Sequence, residues 1–352
     1  MKRPIIISGP CSAETEEQTI ITCTKLAETQ KVDILRAGIW KPRTNPESFE
    51  GVGELGLMWL ATAKRITGLP IAIEVANAEH AHKALAYGVD YIWIGARTTV
   101  NPFYVKEIAS VLKGTKVKVL IKNPINPDMS LWAGAVERIA HARGIENIWL
   151  VHRGFSAYGY SEYRNTPLWY LIFDIRRQFP DMKIICDPSH ICGNRENLLA
   201  VSQTAADLNY DGLMIETHIC PSAAWSDANQ QITPNELKTL LDTLKWRDAN
   251  NDNSIFSYSL SKFRSEIDQI DSDMFELLSR RMKLAEEIGR IKQQSNVSIF
   301  QGQRWNNVVE RILSRANRLN LSAAFIRDVL DAIHAESINR QNEIMNKKKN
   351  NG

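Results

Sequence analysis

KIICDPSH, residues 183–190, carries the pattern that decides the fold: a short apolar run, Lys183 to Cys186, that ends abruptly in Asp187, Pro188, Ser189 and His190. Apolar residues at successive rather than alternate positions are what a strand buried on both faces of a parallel sheet requires. Working outward, runs of the same kind recur at Ile5 to Ser8, Val32 to Arg36, Ile71 to Val75, Tyr91 to Ile94, Val117 to Ile121, Asn147 to Val151 and Asp211 to Ile215. Helical segments separate them, among them Ala78 to Tyr87, Pro102 to Leu112, Leu131 to Arg143 and Asn194 to Ala206, and Pro234 to Trp246 follows the last run. This strand–helix alternation predicts an α/β fold, a (β/α)8 TIM barrel over residues 1–247, with a doubly wound open sheet as the alternative.

Beyond the barrel the pattern changes. The polar stretch DANNDNS, Asp248 to Ser254, opens a linker placed at 248–258. From 259 to 345 no strand signal remains, and apolar residues fall at three-four spacing: Leu260, Phe263, Ile267, Ile270, Met274, Leu277, Leu284, Ile288 and Ile291. One helix from Leu260 to Gln293 would be about 50 Å long, too long to bury that stripe within so small a module, so a second copy is expected to cover it. Two shorter helices follow, Gly302 to Ala316 and Ser322 to Met345, with Ser322 as N-cap. The expectation is a small all-α three-helix domain that dimerises, followed by a frayed basic tail at 346–352.

Composition excludes several classes. A net charge of +3 over 352 residues gives no support for a nucleic-acid surface. The five cysteines are odd in number and lack CxxC spacing, which argues against a disulfide framework and for a reducing, cytoplasmic setting. No apolar stretch approaches membrane-spanning length, so no membrane partner is expected.

Barrel enzymes place their chemistry on the loops after the C-terminal ends of the strands. Here those positions hold Cys11, Arg36 followed by Lys41-Pro42-Arg43-Thr44, Glu74, Gly95-Ala96-Arg97, Lys122, His152-Arg153, Asp187 to His190, and Glu216, with Asp227 in the loop beyond. A single strand-end Arg usually pairs with a carboxylate and a single Cys is usually inert packing. Convergence of Arg36, Lys41, Arg43, Arg97, Lys122 and Arg153 is different, because like charges repel unless an anion joins them; two phosphates would serve. Cys11, His190, Glu216 and Asp227 form a mixed soft and hard donor set, suited to one divalent ion of the Mn, Fe, Co or Zn class.

The blocks GPCS, KPRT, GAR, HRG, DPSH and GLMIETH with the later SD, in this order, resemble those of 3-deoxy-D-arabino-heptulosonate 7-phosphate (DAHP) synthases over residues 4 to about 245. The resemblance implies condensation of phosphoenolpyruvate with erythrose 4-phosphate, with Cys11, His190, Glu216 and Asp227 as metal ligands. It implies that Arg36, Lys41, Arg97, Lys122 and Arg153 hold phosphoenolpyruvate, that Lys41, Pro42, Arg43 and Thr44 hold erythrose 4-phosphate, and that Ala96 is also a substrate-binding residue. The metal would polarise the aldehyde oxygen, and Lys41 would protonate the new alkoxide.

In the helical module, Arg281 takes a seam position between Leu277 and Leu284, and Lys292, eleven residues on, points the same way. Arg304 shares a face with Val308 and Ile312, and the seam Ile326, Leu330, Ile333 runs on into Ser337 and Gln341. Interhelical salt bridging would explain a lone arginine, but no carboxylate occupies a matching position. FRSEIDQID, RR with the later EEIGRIK, the Arg304 region and ESINRQ resemble the all-helical chorismate mutases over residues 259 to 345. That resemblance implies a homodimer acting on chorismate, with Arg264 reaching the partner's pocket, Arg264 and Arg281 on the carboxylates, and Lys292 with Gln341 at the ether oxygen. Arg304 and Ser337 would complete the site, while Gln301 and Trp305 stand where many members carry acidic residues. Such a rearrangement needs only preorganised charge. Two competing readings remain at this point: a helical module that senses and dimerises without catalysing, and a barrel that is a Schiff-base phosphosugar aldolase indifferent to chelators.

Overall fold

The structure, a computed structural model, describes residues 3–41, 47, 49–157, 161–247 and 254–346. The first part is a closed, all-parallel barrel of eight strands in sequence order. The strands are β1 (Ile5–Gly9), β2 (Ile34–Ala37), β3 (Ile71–Val75), β4 (Tyr91–Ile94), β5 (Lys118–Lys122), β6 (Ile148–His152), β7 (Lys183–Cys186) and β8 (Gly212–Glu216). β1 closes on β8 with Ile5 opposite Gly212 and Gly9 opposite Glu216. Several strands end one residue later than the apolar runs, because the charged residue that ends the run still holds its place in the ladder.

The helices outside the barrel are α1 (Glu16–Glu28), α2 (Glu54–Thr67), α3 (Ala78–Ala86), α4 (Ala96–Thr99), α5 (Pro102–Leu112), α6 (Met129–Arg143), α7 (Tyr170–Gln178), α8 (Pro188–Cys192), α9 (Leu198–Asp207) and α10 (Pro234–Thr243). α10 shows how sharply they are punctuated: Thr233 caps Glu236 and is capped in return, with Pro234 in the first turn.

Two apolar layers share the strands. Residues such as Ile92, Ile94, Ile184 and Cys186 face the helices. Ile7, Ile34, Ala72, Trp93, Leu120, Val151, Ile185 and Met214 fill the barrel interior. Strand side chains alternate, so the residue two places on from each interior one also points inward. Those eight residues are Gly9, Arg36, Glu74, Gly95, Lys122, Arg153, Asp187 and Glu216. The period of the strand therefore sets a ring of six ionisable groups directly above an apolar plug. The two glycines make room: a Cβ on Gly9 would lie 1.9 Å from the Arg36 carbonyl oxygen, and one on Gly95 would lie 2.0 Å from Glu74 Oε1.

Contacts divide the chain into two units, Met1–Ala249 and Asn250–Gly352. The second is all-helical: α11 (Ser254–Gln294), α12 (Gly302–Leu313), α13 (Ala316–Leu319) and α14 (Ala323–Asn346). Ser322 caps α14 through the Phe325 amide. α13, one turn long, adds to the three helices expected and shortens the second of them, whose interior ends at Leu313. Its core is small, Ala316, Ile326 and Leu330 with Trp305, Val309, Ile312 and Leu313 around them. α11 turns small residues toward α14: Ala285 is buried, and a Cβ on Gly289 would come within 3.1 Å of Gln341 Cα. The stripe Phe263, Ile267, Ile270, Met274, Leu277, Leu284, Ile288 and Ile291 stays exposed, and Arg281 within it is exposed too. The apolar residues of the seam thus lie outside the strip of α11 packed within the chain, while Arg281 at its edge reaches Ser337 on α14. Among the described residues, no helix is long and apolar enough to cross a membrane. The tail expected at 346–352 lies outside them after Asn346, as does most of the linker, residues 248–253.

Candidate active sites

A cavity of about 250 Å³ opens at the C-terminal mouth of the barrel, lined by Lys41, Glu74, Gly95, Ala96, Arg97, Lys122, Arg153, Arg164, His190 and Asp227, among others. Arg36 lies beneath it, 1% exposed, with Nη1 3.1 Å from Glu216 Oε1 and its guanidinium 4.6 Å from the centre of the Trp93 ring. Lys122 donates to Asp187 Oδ2 at 2.9 Å. Two of the six cations expected at the mouth therefore already have carboxylate partners. Pro42, Arg43 and Thr44 lie outside the described residues.

Cys11, Glu216 and Asp227 each bring a donor atom to one point, all within 4.8 Å of one another. Each arrives by a different route. The Cys11 amide is fixed by Gln231 Oε1 at 2.9 Å, Glu216 ends β8 on the inward parity, and Asp227 adopts a left-handed backbone (φ 46) that short polar side chains tolerate. His190 faces the same place, with Nε2 3.9 Å from Glu216 Oε1, while its Nδ1 meets Asp187 at 2.9 Å. An imidazole held on its far nitrogen by a carboxylate is the arrangement that orients metal-binding histidines.

Electrostatics at this cluster favour a cation. The Cys11 thiol donates to Asp227 Oδ2 at 3.3 Å and accepts from Lys41 Nζ at 2.9 Å. Burial, with Glu216 adding to it, pushes that thiol up to about 11, against the opposing charge of Lys41. Asp227, though burial opposes it, is held low by Arg164, His190 and Lys41, and Glu216, also against burial, is held low by His190, Arg36 and Lys41. Glu216 Oε1 is buried and accepts no hydrogen bond among the described residues, because the nearby Arg36 nitrogen is not aligned to donate to it. A buried, charged oxygen with free lone pairs beside a thiol, a carboxylate and an imidazole fits a divalent ion of the class expected from the donor types.

Several residues of this site were not singled out in the sequence. Arg164 donates to Asp227 Oδ1 at 3.1 Å and to Gln230 Oε1 at 2.7 Å, and Gln230 in turn donates to Glu216 Oε2 at 2.7 Å. Asn165 accepts from Arg153 at 2.6 Å and donates to the His190 carbonyl at 2.7 Å. Arg164 and Asn165 sit in the long β6–α7 connection, where no period marks which side chain turns inward.

In the helical unit, Arg281 on α11 donates to the Ser337 hydroxyl on α14. Ser337 and Gln341 are buried on one face of α14, and the Gln341 amide donates to the Ser337 carbonyl at 3.2 Å while its Oε1 is buried without a partner among the described residues. Lys292 is half-buried and donates to the Ile299 carbonyl at 2.6 Å. Burial lowers both Arg281 and Lys292 from their ordinary values. Arg304 on α12 and Arg264 on α11 are exposed, and no contact within the chain joins Arg264 to the others among the described residues. His334, not anticipated, lies beside Arg281 and Lys292 with its ring stacked on Trp305 at 3.9 Å.

Residues 2–251 match the DAHP synthetase I family model, and residues 263–342 match the chorismate mutase type II model. A phospho-2-dehydro-3-deoxyheptonate aldolase of Thermotoga maritima is 33% identical over 240 residues, 68% of each chain. A 2-dehydro-3-deoxyphosphooctonate aldolase of Wolinella succinogenes is 27% identical over 274 residues, covering 68% of this chain and 97% of the relative. The crystal structure of a Thermotoga maritima DAHP synthase superposes with a TM-score of 0.61 at 32% identity, over 68% of this chain and 67% of that one. The chain belongs to the DAHP synthetase I family through its barrel and carries a chorismate mutase type II segment in its helical unit, so that two enzymes of the shikimate pathway share one polypeptide.

Proposed function

We propose that the barrel performs a metal-dependent condensation of phosphoenolpyruvate and water with erythrose 4-phosphate to give DAHP, the enol phosphate leaving as inorganic phosphate. The supporting observation is a cavity lined by Lys41, Arg97, Lys122, Arg153 and Arg164 together with His190 and Asp227, where Asp227 clusters with Cys11 and Glu216. Arg97, Lys122 and Arg153 hold the phosphate and carboxylate of phosphoenolpyruvate, with Ala96 leaving room beside them and Arg36 fixing Glu216 from below. Lys41, with Pro42, Arg43 and Thr44, receives the sugar phosphate. When bound, the metal supplies Lewis-acid polarisation of the aldehyde oxygen. Holding both polyanions among fixed cations removes their mutual repulsion and the entropy of their meeting. As the carbon–carbon bond forms, that oxygen gains charge, and Lys41, whose Nζ lies 2.9 Å from Cys11 Sγ, is the proton donor to it. EDTA is expected to abolish heptulosonate formation, with rescue by added divalent ion. Full activity in EDTA, or borohydride trapping of a Schiff base, would favour the lysine-aldolase reading instead.

The helical unit, in this reading, rearranges chorismate to prephenate, with Arg264 from a second copy and Arg281 on the carboxylates, Lys292 and Gln341 at the ether oxygen, and Arg304 and Ser337 alongside. The exposed apolar flank of α11 supports a homodimer, since it leaves eight large side chains open in one copy. Prephenate or chorismate bound there serves as feedback inhibitor of the barrel, with the domain boundary in the 248–258 segment, a higher oligomer as an extension of the dimer, and a cytoplasmic location consistent with five free cysteines. Chorismate turnover that is lost in Lys292→Ala separates catalysis from mere sensing.

A further inference from the structure

His334 is a group that the mutase reading leaves unused. It sits on α14 one turn before Ser337 and two turns before Gln341, so the three side chains share a face. Its ring stacks on Trp305 of α12 with centroids 3.9 Å apart and planes 13° from parallel, and Phe300 approaches with its centroid at 6.1 Å. Nε2 is buried and has no hydrogen-bond partner among the described residues. Leaving a ring nitrogen both dry and unpaired costs stability, which a bound oxygen would repay.

The charged groups that face the ring are Arg281 and Lys292 from α11 and Asp331 from its own helix; the uncharged Trp305 covers it from α12. Burial first, then Arg281 and Lys292 against the opposing Asp331, lowers the imidazole from its ordinary value. It is therefore neutral at pH 7 in the empty site. A dianion seated between Arg281 and Lys292 reverses that field, because it cancels the two cations and brings an acceptor oxygen beside the ring.

We propose that His334 contacts the dicarboxylate held by Arg281 and Lys292, with Nε2 bonding one of its oxygens, and that binding carries a proton onto the ring. The proposal rests on the mutase reading of this site. The sign follows from linkage: the bound state holds the proton more tightly, so affinity rises as pH falls toward the free-state value and levels off below it.

Calorimetric titration of prephenate into the full-length protein at pH 7, in buffers of different ionisation enthalpy, reads proton uptake directly. The expected uptake is about half to one proton per site. His334→Phe keeps a ring against Trp305 but loses both nitrogens, and His334→Gln keeps a polar group without a titrating one. Both are expected to bind about tenfold more weakly, about 1.4 kcal/mol, with no proton uptake. Wild-type binding without uptake overturns the proposal, as does wild-type uptake and affinity in both variants. A wild-type protein that neither binds prephenate nor turns over chorismate defeats the mutase reading itself, and His334 with it.

Discussion

Asp187 grips two side chains at once, the Lys122 ammonium and the His190 imidazole, each at 2.9 Å, from a fully buried position. Burial opposes its charge, yet His190 and Lys122 hold it well below the usual carboxylate range. Asp187→Asn keeps the size and removes the charge, so His190 loses its orienting partner. Metal content after dialysis, measured by mass spectrometry, is expected to correspond to a 10–100-fold weaker site, roughly the effect of losing such a partner. His152 presents the opposite case, since it lies behind the strand, bonded to Tyr210 at 2.9 Å, and burial pushes its imidazole down to about 3. The unfolded chain binds that proton near its ordinary value, so stability is retained above about pH 6.5 and lost as pH falls toward 3, by about 1.4 kcal/mol per unit. Denaturant melts between pH 7 and pH 5 are expected to show this slope, and His152→Phe is expected to flatten it. At this scale the sequence was partly legible. Strand parity places Arg36, Lys122 and Glu216 at the mouth, but which cation meets which carboxylate depends on distances across the barrel that no linear pattern contains.

Among the elements, the strands were the most readable, because a strand buried on both faces must be apolar at every position and then change character at its tip. Connections were the least readable. Arg164 and Asn165 reach the Asp227 and His190 region from the β6–α7 loop, where no repeat predicts direction. On α11 the three-four stripe marks a face left open within the chain, as its length led one to expect, while the face toward α14 is built from Ala285 and Gly289, residues too small to register as a stripe. Gly289→Val tests that close packing: its branched side chain would push against Gln341 and is expected to cost about 1–3 kcal/mol by chemical denaturation of the helical unit. A charge in the open face acts elsewhere. Leu277→Asp is expected to leave helicity intact by circular dichroism and to shift sedimentation toward the monomer.

For the whole molecule, two units with separate cores predict separable behaviour. A chain ending at Arg247 is expected to form heptulosonate with metal and both phosphates, and to ignore prephenate, whereas the full-length protein is expected to slow in its presence. Equal prephenate response in both, measured by initial rates, removes the sensor role. The division itself was visible in the loss of strand periodicity after Trp246, while coupling between units requires contacts beyond either pattern.

In the proposed dimer, the uncovered flank of α11 also ties the survival of the helical unit to abundance. A helix that shields its greasy side only by meeting a twin gains hold by mass action, so dilution loosens it and crowding of like copies tightens it. Its melting midpoint should climb with protein concentration, while that of the barrel stays fixed. A cell making few copies would then keep the barrel folded and lose the helical unit first.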